Sequence, residues 1–392
     1  MFDLEKVKKA IRLEALNGWL FFNFKHRDII ADRLLEIPKE AVNSRPWFYV
    51  IYASGKPVKI NHVVEKGILN HLPGKQYFYS SREELGTLLA HLGKGTFGAQ
   101  ISTHIPVISL LDHGTALFLQ EKGFELVTST NLIQRTLSTL DEKGIAFHEE
   151  AARELYDITG SLWERIAEAF SHGSGDGSQF TTEGGLQTWI MKEFEKRSLV
   201  TDHPPIVATG NNSSDPHYVP DGRGRELSIG DIVQFDLWAK KQEPGAIYAD
   251  IAWVGVLSQK VSPQYEKIFT PLTNARDFAA ACINEKLSKE QPITGYEVDR
   301  EVRAYFSRRG FEKNLKHRTG HGIDTECHGS GVNLDSVEFP DHRNLIPGSC
   351  FSIEPGLYLD TFGMRTEINV YIRNNNACIS GGKPQERILT LS

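Results

Sequence analysis

Thiol chemistry has little to work with in this sequence. Four cysteines occur in 392 residues, Cys282, Cys327, Cys350 and Cys378, none in a CxxC pair and all in the second half. A disulfide framework or a cysteine zinc site is therefore not expected, and the four read as reduced thiols. Positive charge is not in excess either. Forty-four Lys plus Arg stand against fifty Asp plus Glu, a net charge of −6 that argues against a general polyanion binder and a nucleic-acid partner. Apolar runs such as Ile105 to Leu111 fall far short of the ~18 residues that cross a bilayer, so no membrane segment is expected. The opening MFDLEKVKKAIRLEAL carries charge throughout its first turns and lacks the apolar core and small-residue cleavage site of a signal peptide. Export is not expected, and the cytoplasm is the expected location. No GxxxxGK[ST] loop, GxSxG elbow or HExxH helix is present. Nucleotide, serine-hydrolase and zincin readings therefore lack their residues. Gly93-Lys-Gly95-Thr-Phe-Gly98 does fit GxGxxG. It follows a helical pattern and precedes a strand, the reverse of the order that aims a helix N-terminus at pyrophosphate.

What is present is ordinary globular material, 40% hydrophobic and 24% charged, enough to bury sizeable cores. At roughly 150 residues per domain the length suits two domains. Residues 3–16 read as a helix, after which short apolar runs (Gly18–Phe24, Trp47–Tyr52, Gln76–Tyr79, Thr96–Ile101) alternate with helical stretches such as Ser81–Leu92. That is α/β periodicity. Leu132–Leu140 and His148–Phe170 are further helical patterns, and the polar, glycine-ended Asp141-Glu-Lys-Gly144 between them reads as an interdomain break. The expected domains are 1–145 and 146–392. In the second, helices (Thr182–Lys196, Pro263–Leu287, Gly295–Arg309) are separated by strand-like, turn-rich segments loaded with Asp, His and Glu, an α+β texture. No solenoid or propeller repeat is visible, and the one biased segment is the Gly/Ser loop Ser171–Ser178.

The chemistry concentrates in that second half. Gly230-Asp-Ile-Val-Gln-Phe-Asp236-Leu-Trp reads as a strand and Ile247-Tyr-Ala-Asp250-Ile-Ala-Trp-Val as its hairpin partner, with Glu243-Pro-Gly245 at the bend. Parity alone does not place both acids on one face, because the turn intervenes. Their setting is nevertheless unusual. Val233, Phe235, Leu237, Ile251 and Trp253 flank them, and an acid amid an apolar run needs a partner cation. His317, His321 and His328 follow within twelve residues, with Gly320 and Gly322 beside the middle one, where backbone can pass close to a site. Glu354 and Glu367 lie on two more short apolar strands. Four carboxylates cannot share a pocket unpaired. With one imidazole they form an oxygen-rich, borderline-hard donor set suited to two bridged Mn, Fe, Co or Zn ions, the arrangement of metal-assisted hydrolysis.

These motifs resemble a known family. Pro216-His217-Tyr, FDLW with Asp236, YADI with Asp250, TGHGI with His321, SIEPGLY with Glu354 and MRTEI with Glu367 are similar in content and order to the pita-bread metallopeptidases. That family includes Xaa-Pro aminopeptidase, prolidase, methionine aminopeptidase and the non-peptidase creatinase. The likeness covers about 150–392, and the first 145 residues look like the smaller N-terminal domain of the Xaa-Pro branch. It implies a dinuclear hydrolase in which Asp236 holds one metal, His321 and Glu354 the other, and Asp250 and Glu367 bridge. Glu354 would also take the proton of the bridging water, His217 and His328 would flank the scissile bond, and His317 would help bind substrate. Arg365 would orient an acid or a substrate carboxylate. The implied cofactor is a pair of divalent ions, manganese first. The implied partners are a peptide or small molecule and a second copy of the chain, as a homodimer.

The sequence departs from that pattern in places. Trp238 stands where a small residue often follows the first Asp, and Ala252-Trp253 replaces a polar pair after the second. Gly329 follows His328 where an acid is usual, and Asn369 stands where an acid might sit. The hairpin between the two Asp is a few residues longer. None removes a ligand. They bear on substrate class, and the rival reading is a creatinase-like or lyase-like member acting on a small non-peptide metabolite.

Overall fold

The computed structural model describes residues 2–171 and 179–391, so the Gly/Ser loop lies, beyond Ser171, outside the described residues. The chain divides into two compact units, Met1–Leu137 and Ser138–Ser392. The division expected at 145 falls inside a helix, Glu142–Ala169. The polar stretch read as a linker is that helix's cap: the Asp141 side chain accepts the Gly144 N–H at 2.8 Å.

The first unit is an α/β sandwich on a six-stranded mixed sheet of order β4-β3-β2-β1-β5-β6. Its strands are β1 (Gly18–Asn23), β2 (Trp47–Tyr52), β3 (Val58–His62), β4 (Lys75–Tyr79), β5 (Gly95–Ala99) and β6 (Phe124–Thr128). All six residues of β1 are buried, because the strand is covered on both faces. Trp19 and Phe21 pack with α1 (Leu4–Leu13), α2 (Ile29–Leu34) and α5 (Thr130–Leu137). Leu20 and Phe22 pack on the other side with α3 (Arg82–Leu92) and α4 (His113–Glu121). The GxGxxG match runs from the end of α3 into β5 and serves packing. A Cβ at Gly98 would meet Leu132 Cδ1 at 2.6 Å, and one at Gly93 would meet Phe124 Cδ2 at the same distance.

One contact in this unit makes it pH-sensitive. His26 Nδ1 lies 2.8 Å from Asp32 Oδ2 and Nε2 lies 2.7 Å from the Ala41 carbonyl. Two acceptors require two N–H groups, hence an imidazolium. Burial alone would lower the His26 pKa, but the Ala41 carbonyl and the Asp32 carboxylate outweigh it and raise it. The contribution is therefore complete below about pH 6.5 and is lost as pH rises through the raised folded value. His26→Gln should narrow its stability gap to the parent between pH 6 and pH 9, read as thermal midpoints; a gap constant with pH would contradict the imidazolium.

The second unit is α+β. Its largest sheet runs β16-β10-β9-β7, with β8 also paired to β9. The strands are β7 (Leu199–Val200), β8 (Ile206–Thr209), β9 (Ile232–Lys241), β10 (Ala249–Val256) and β16 (Leu389–Thr390). A three-stranded sheet joins β11 (Cys350–Ile353), β14 (Ile368–Arg373) and β15 (Asn376–Ile379), and β12 (Gly356–Tyr358) pairs with β13 (Gly363–Arg365). Helices α6 (Glu142–Ala169) and α7 (Glu183–Lys196) pack on Val233, Phe235, Leu237 and Ile251 of the hairpin. Helices α8 (Pro263–Ser288) and α9 (Gly295–Ser307) pack on Phe351, Ile353, Ile368 and Val370. Two helix-backed layers thus leave their inner strand faces free to carry polar groups. No helix among the described residues is long and apolar enough to cross a membrane.

Candidate metal centre

The β9–β10 register settles what parity left open. Asp236 pairs with Ala252 and Asp250 with Trp238, so even-numbered residues of both strands share one face. Asp236, Trp238 and Asp250 stand together there, while Val233, Phe235, Leu237 and Ile251 face the helices. Gln234 on the same face clamps the Arg365 backbone, accepting its N–H at 2.7 Å and donating to its carbonyl at 3.2 Å. Glu367 is delivered next to this face by its backbone N–H, which bonds the Ala252 carbonyl at 3.1 Å. Ala252, small where a polar residue was expected, leaves Asp236 room, and Trp253 packs edge-on against Tyr156 on the other side.

The glycines beside His321 permit strand contact that no side chain would allow. A Cβ at Gly320 would meet the Ser352 carbonyl at 2.0 Å, and one at Gly322 would meet Gly331 C at 2.6 Å. Ser352 in β11 then brackets His321, its Oγ accepting the His321 N–H at 2.9 Å and its own N–H reaching the His321 carbonyl at 2.9 Å. Glu354 follows two residues later, tied by its N–H to the Thr319 carbonyl at 2.8 Å. Asn369 accepts the Asp250 N–H at 2.6 Å on its side-chain oxygen, doing without further charge what an acid would do there.

All five sequence-derived ligand candidates converge. Asp236, Asp250 and Glu367 bring ligand atoms within 4.8 Å of one another, as do His321, Glu354 and Glu367. Glu367 is common to both groups. His321 Nε2 lies 3.6 Å from Asp250 Oδ2 and 3.5 Å from Glu354 Oε1, while Nδ1 faces the Gly322 carbonyl at 3.4 Å. Nδ1 is therefore the protonated nitrogen and Nε2 offers a lone pair toward the carboxylates. Burial, reinforced by Arg318, pushes the His321 pKa down to about 3, so the ring is in its neutral form.

The carboxylates are out of balance on their own. Burial pushes Asp236 up to about 7 and Glu354 up to about 8 against the pull of Arg365, and with the help of Asp250 and Glu354 it raises Glu367 well above the usual carboxylate range. Arg365 pairs with Asp236 and supplies one compensating cation. Asp250 Oδ1 and Glu367 Oε1 are buried with no hydrogen-bond partner among the described residues. Unpartnered carboxylate oxygens among neutral imidazole and carboxylate donors fit divalent cations.

The centre opens into a cleft of about 420 Å³ lined by the five candidates together with His217, His328 and Arg365. His328 stacks edge-on to His321 with ring centroids 4.3 Å apart, and His321 together with burial pushes its pKa down to about 3. His317 does not line it. Its Nε2 bonds Tyr358 Oη at 2.8 Å, and Arg365 reaches the same oxygen at 2.8 Å, so His317 sits behind Arg365. Trp238 lines the cleft. Tyr218 and Tyr358 do not; Tyr218 gives its hydroxyl to the buried Glu183 at 2.7 Å. Glu183 also accepts from Thr209 N, Asn212 Nδ2 and Arg225 N, and so fixes the loop that carries His217.

Six cleft residues escaped the sequence reading: Asp202, His203, Pro204, Ile206, Val219 and Cys327. Cys327 donates its thiol to Asp250 Oδ2 at 3.2 Å, and burial raises its pKa well above the ordinary value. Adjacency to His328 was its only signal. Gly329 is explained by Asp324: a Cβ there would lie 2.6 Å from Asp324 Cγ, so a carboxylate already fills the space.

The model of metallopeptidase family M24 matches residues 150–374. Among curated relatives, the Xaa-Pro dipeptidase of Lactobacillus delbrueckii subsp. lactis is 29% identical over 181 residues, 45% of this chain and 44% of that one. A Mycoplasma pneumoniae protein is 27% identical over 202 residues, 50% of this chain and 52% of that one. The chain thus spans about half the length of these curated relatives. Solved structures match along almost the whole chain. Dipeptidase PepE from Mycobacterium ulcerans superposes with TM-score 0.73 at 20% identity, covering 99% of this chain and 96% of that one. Prolidase from Thermococcus sibiricus gives 0.66 at 20%, covering 99% and 98%. At such identity these neighbours establish the two-part pita-bread fold.

Proposed function

The chain belongs to metallopeptidase family M24, and on that footing we propose that it is a dinuclear metal-dependent hydrolase releasing the N-terminal residue from Xaa-Pro peptides. The observation that carries the reading is the pair of donor groups sharing Glu367. In it Asp236 would hold one ion, His321 and Glu354 the other, and Asp250 and Glu367 would contribute to both. A bound pair of cations supplies Lewis acidity toward a carbonyl and water acidified to near neutrality. The remaining work falls to side chains. Glu354 is the proton acceptor, and His328 and His217 face the scissile bond as hydrogen-bonding groups for the carbonyl and the leaving nitrogen. Arg365, backed by Tyr358 and His317, keeps Asp236 in place. A proline nitrogen carries no N–H and its ring is apolar. Pro204, Ile206, Val219 and Trp238 give the cleft apolar walls for such a ring.

The wider reading takes manganese as the metal, in keeping with the oxygen-rich donors, the cytoplasm as the location and a homodimer as the working species. The test is a panel assay of manganese-reconstituted protein against Xaa-Pro dipeptides, longer Xaa-Pro peptides, Met-peptides and creatine. Metal-dependent release of the residue before proline is expected. A fully metallated protein that cleaves no Xaa-Pro peptide but turns over creatine would replace the peptidase reading with the small-metabolite one.

A further inference from the structure

Among the described residues, Asp202 is the one carboxylate lining the cleft that does not belong to the donor groups above. It lies on the connection between β7 and β8. Trp238 shares its strand face with Asp236, stands across from Asp250, and donates its indole N–H to Asp202 Oδ1 at 2.7 Å. The indole therefore fixes the carboxylate relative to the centre. Because the donor is neutral, it does so without cancelling the charge. The carboxylate also faces the exposed ring of His203, whose Nδ1 lies 3.3 Å from Oδ2. The Asp202 side chain keeps 45% of its surface accessible. Burial would raise its pKa, but the Trp238 N–H and His203 outweigh that and hold it below the ordinary carboxylate range.

Of the inner carboxylates, Asp236 pairs with Arg365, and the divalent cations that the group fits would engage the rest, leaving them little charge to offer a substrate. A peptide with a free N-terminus brings an ammonium, and a basic first residue brings a second cation. Charged hydrogen bonds in a partly desolvated cleft are strong enough to select for either. We propose that Asp202, held by Trp238, is a specificity-determining residue that takes a cationic group of the substrate's N-terminal residue. This rests on the Xaa-Pro reading, and the shared chemistry is an ammonium, from the chain end or from a lysine side chain.

The experiment compares Lys-Pro with norleucine-Pro, which has the same chain length without the charge, on manganese-loaded parent and Asp202→Asn, with metal content measured in both. If the α-ammonium is held, the variant raises KM about tenfold or more for both dipeptides. If the side chain is held, KM rises for Lys-Pro alone and the parent's preference for it disappears. Trp238→Phe, which keeps the wall but removes the indole N–H, should reproduce part of the shift. An unchanged KM for both dipeptides at equal metal content overturns the proposal. Should the loaded parent cleave neither dipeptide, the Xaa-Pro reading falls by itself. Calorimetry of L-lysine and L-norleucine binding to the same two proteins then decides the Asp202 inference. Weaker binding to the variant supports it, and equal binding, or none by the parent, overturns it.

Discussion

Asp250→Ala is expected to cut the manganese content of the saturated, dialysed protein from two ions per chain to well under one. Asp250 joins Asp236 and Glu367 in one donor group, and its Oδ2 also lies 3.6 Å from His321 Nε2 in the other. Its Oδ1 is buried and unpartnered. Removing it withdraws an anion from both positions at once, and a buried ion with fewer compensating charges binds far more weakly. A second measurement separates metal loss from misfolding. Metal-free parent holds four mutually repelling, buried carboxylates, so truncating one should leave the metal-free chain no less stable. Added manganese should then raise the thermal midpoint of the parent, a gain of about 2.7 kcal/mol at 100 Kd, and hardly move that of the variant. Two ions in the variant with the parent's midpoint shift would remove Asp250 from the ligand set.

Much of the second unit was legible because it obeys local rules. The apolar stripes of Pro263–Leu287 and Gly295–Arg309 became α8 and α9 within two residues. Thr294 and Glu297 close a capping box at the start of α9. The hairpin was legible from alternation and its Glu243-Pro-Gly245 bend, yet the face shared by Asp236 and Asp250 was not. Register depends on how many residues the turn absorbs, which pairing across the strands decides. In the first unit β3 went unread: Val58–His62 contains Lys59, whose ammonium is buried and satisfied by the Leu69 and Leu72 carbonyls, and a lysine breaks an apolar pattern. The boundary near 145 failed for a related reason. Asp, Glu and Gly signal a helix start as readily as a linker, and Asp141 is the former.

Within the centre, the ligand candidates were legible because Asp236, Asp250, His321, Glu354 and Glu367 each stand in an apolar or glycine-rich setting where an uncompensated polar group is costly. The cleft walls were not. Asp202 and His203 lie in a turn of ordinary composition, and the Trp238 indole that holds the Asp202 carboxylate beside the cleft comes from a strand far along the sequence. His317 shows the converse. Its spacing from His321 suggested substrate contact, but Tyr358 and the Arg318 carbonyl take both of its ring nitrogens.

Glu354→Gln is expected to keep most of its metal and lose about 10²-fold or more in kcat, the contribution of a positioned proton acceptor. The amide preserves size and keeps an oxygen that can accept the Ser352 hydroxyl, now at 3.2 Å from Glu354 Oε1. What it loses is charge and basicity. In the metal-free centre Glu354 is pushed up to about 8, first by burial and then by Asp250 and Asp236, against the pull of Arg365. A carboxylate can accept a proton from water, and a glutamine cannot. The Arg365 Nε atom 3.9 Å from Oε2 also loses an anion, although Asp236 continues to pair with the same guanidinium, so Arg365 should stay in place. The expected pattern is therefore a large fall in kcat with metal content near the parent's and KM little changed, because ground-state contacts to the peptide are not removed. Turnover near the parent's at full metal occupancy would assign the proton to another group. A variant that loses both ions would show Glu354 to be needed first as a ligand, and would leave its carboxylate no separate part in the chemistry.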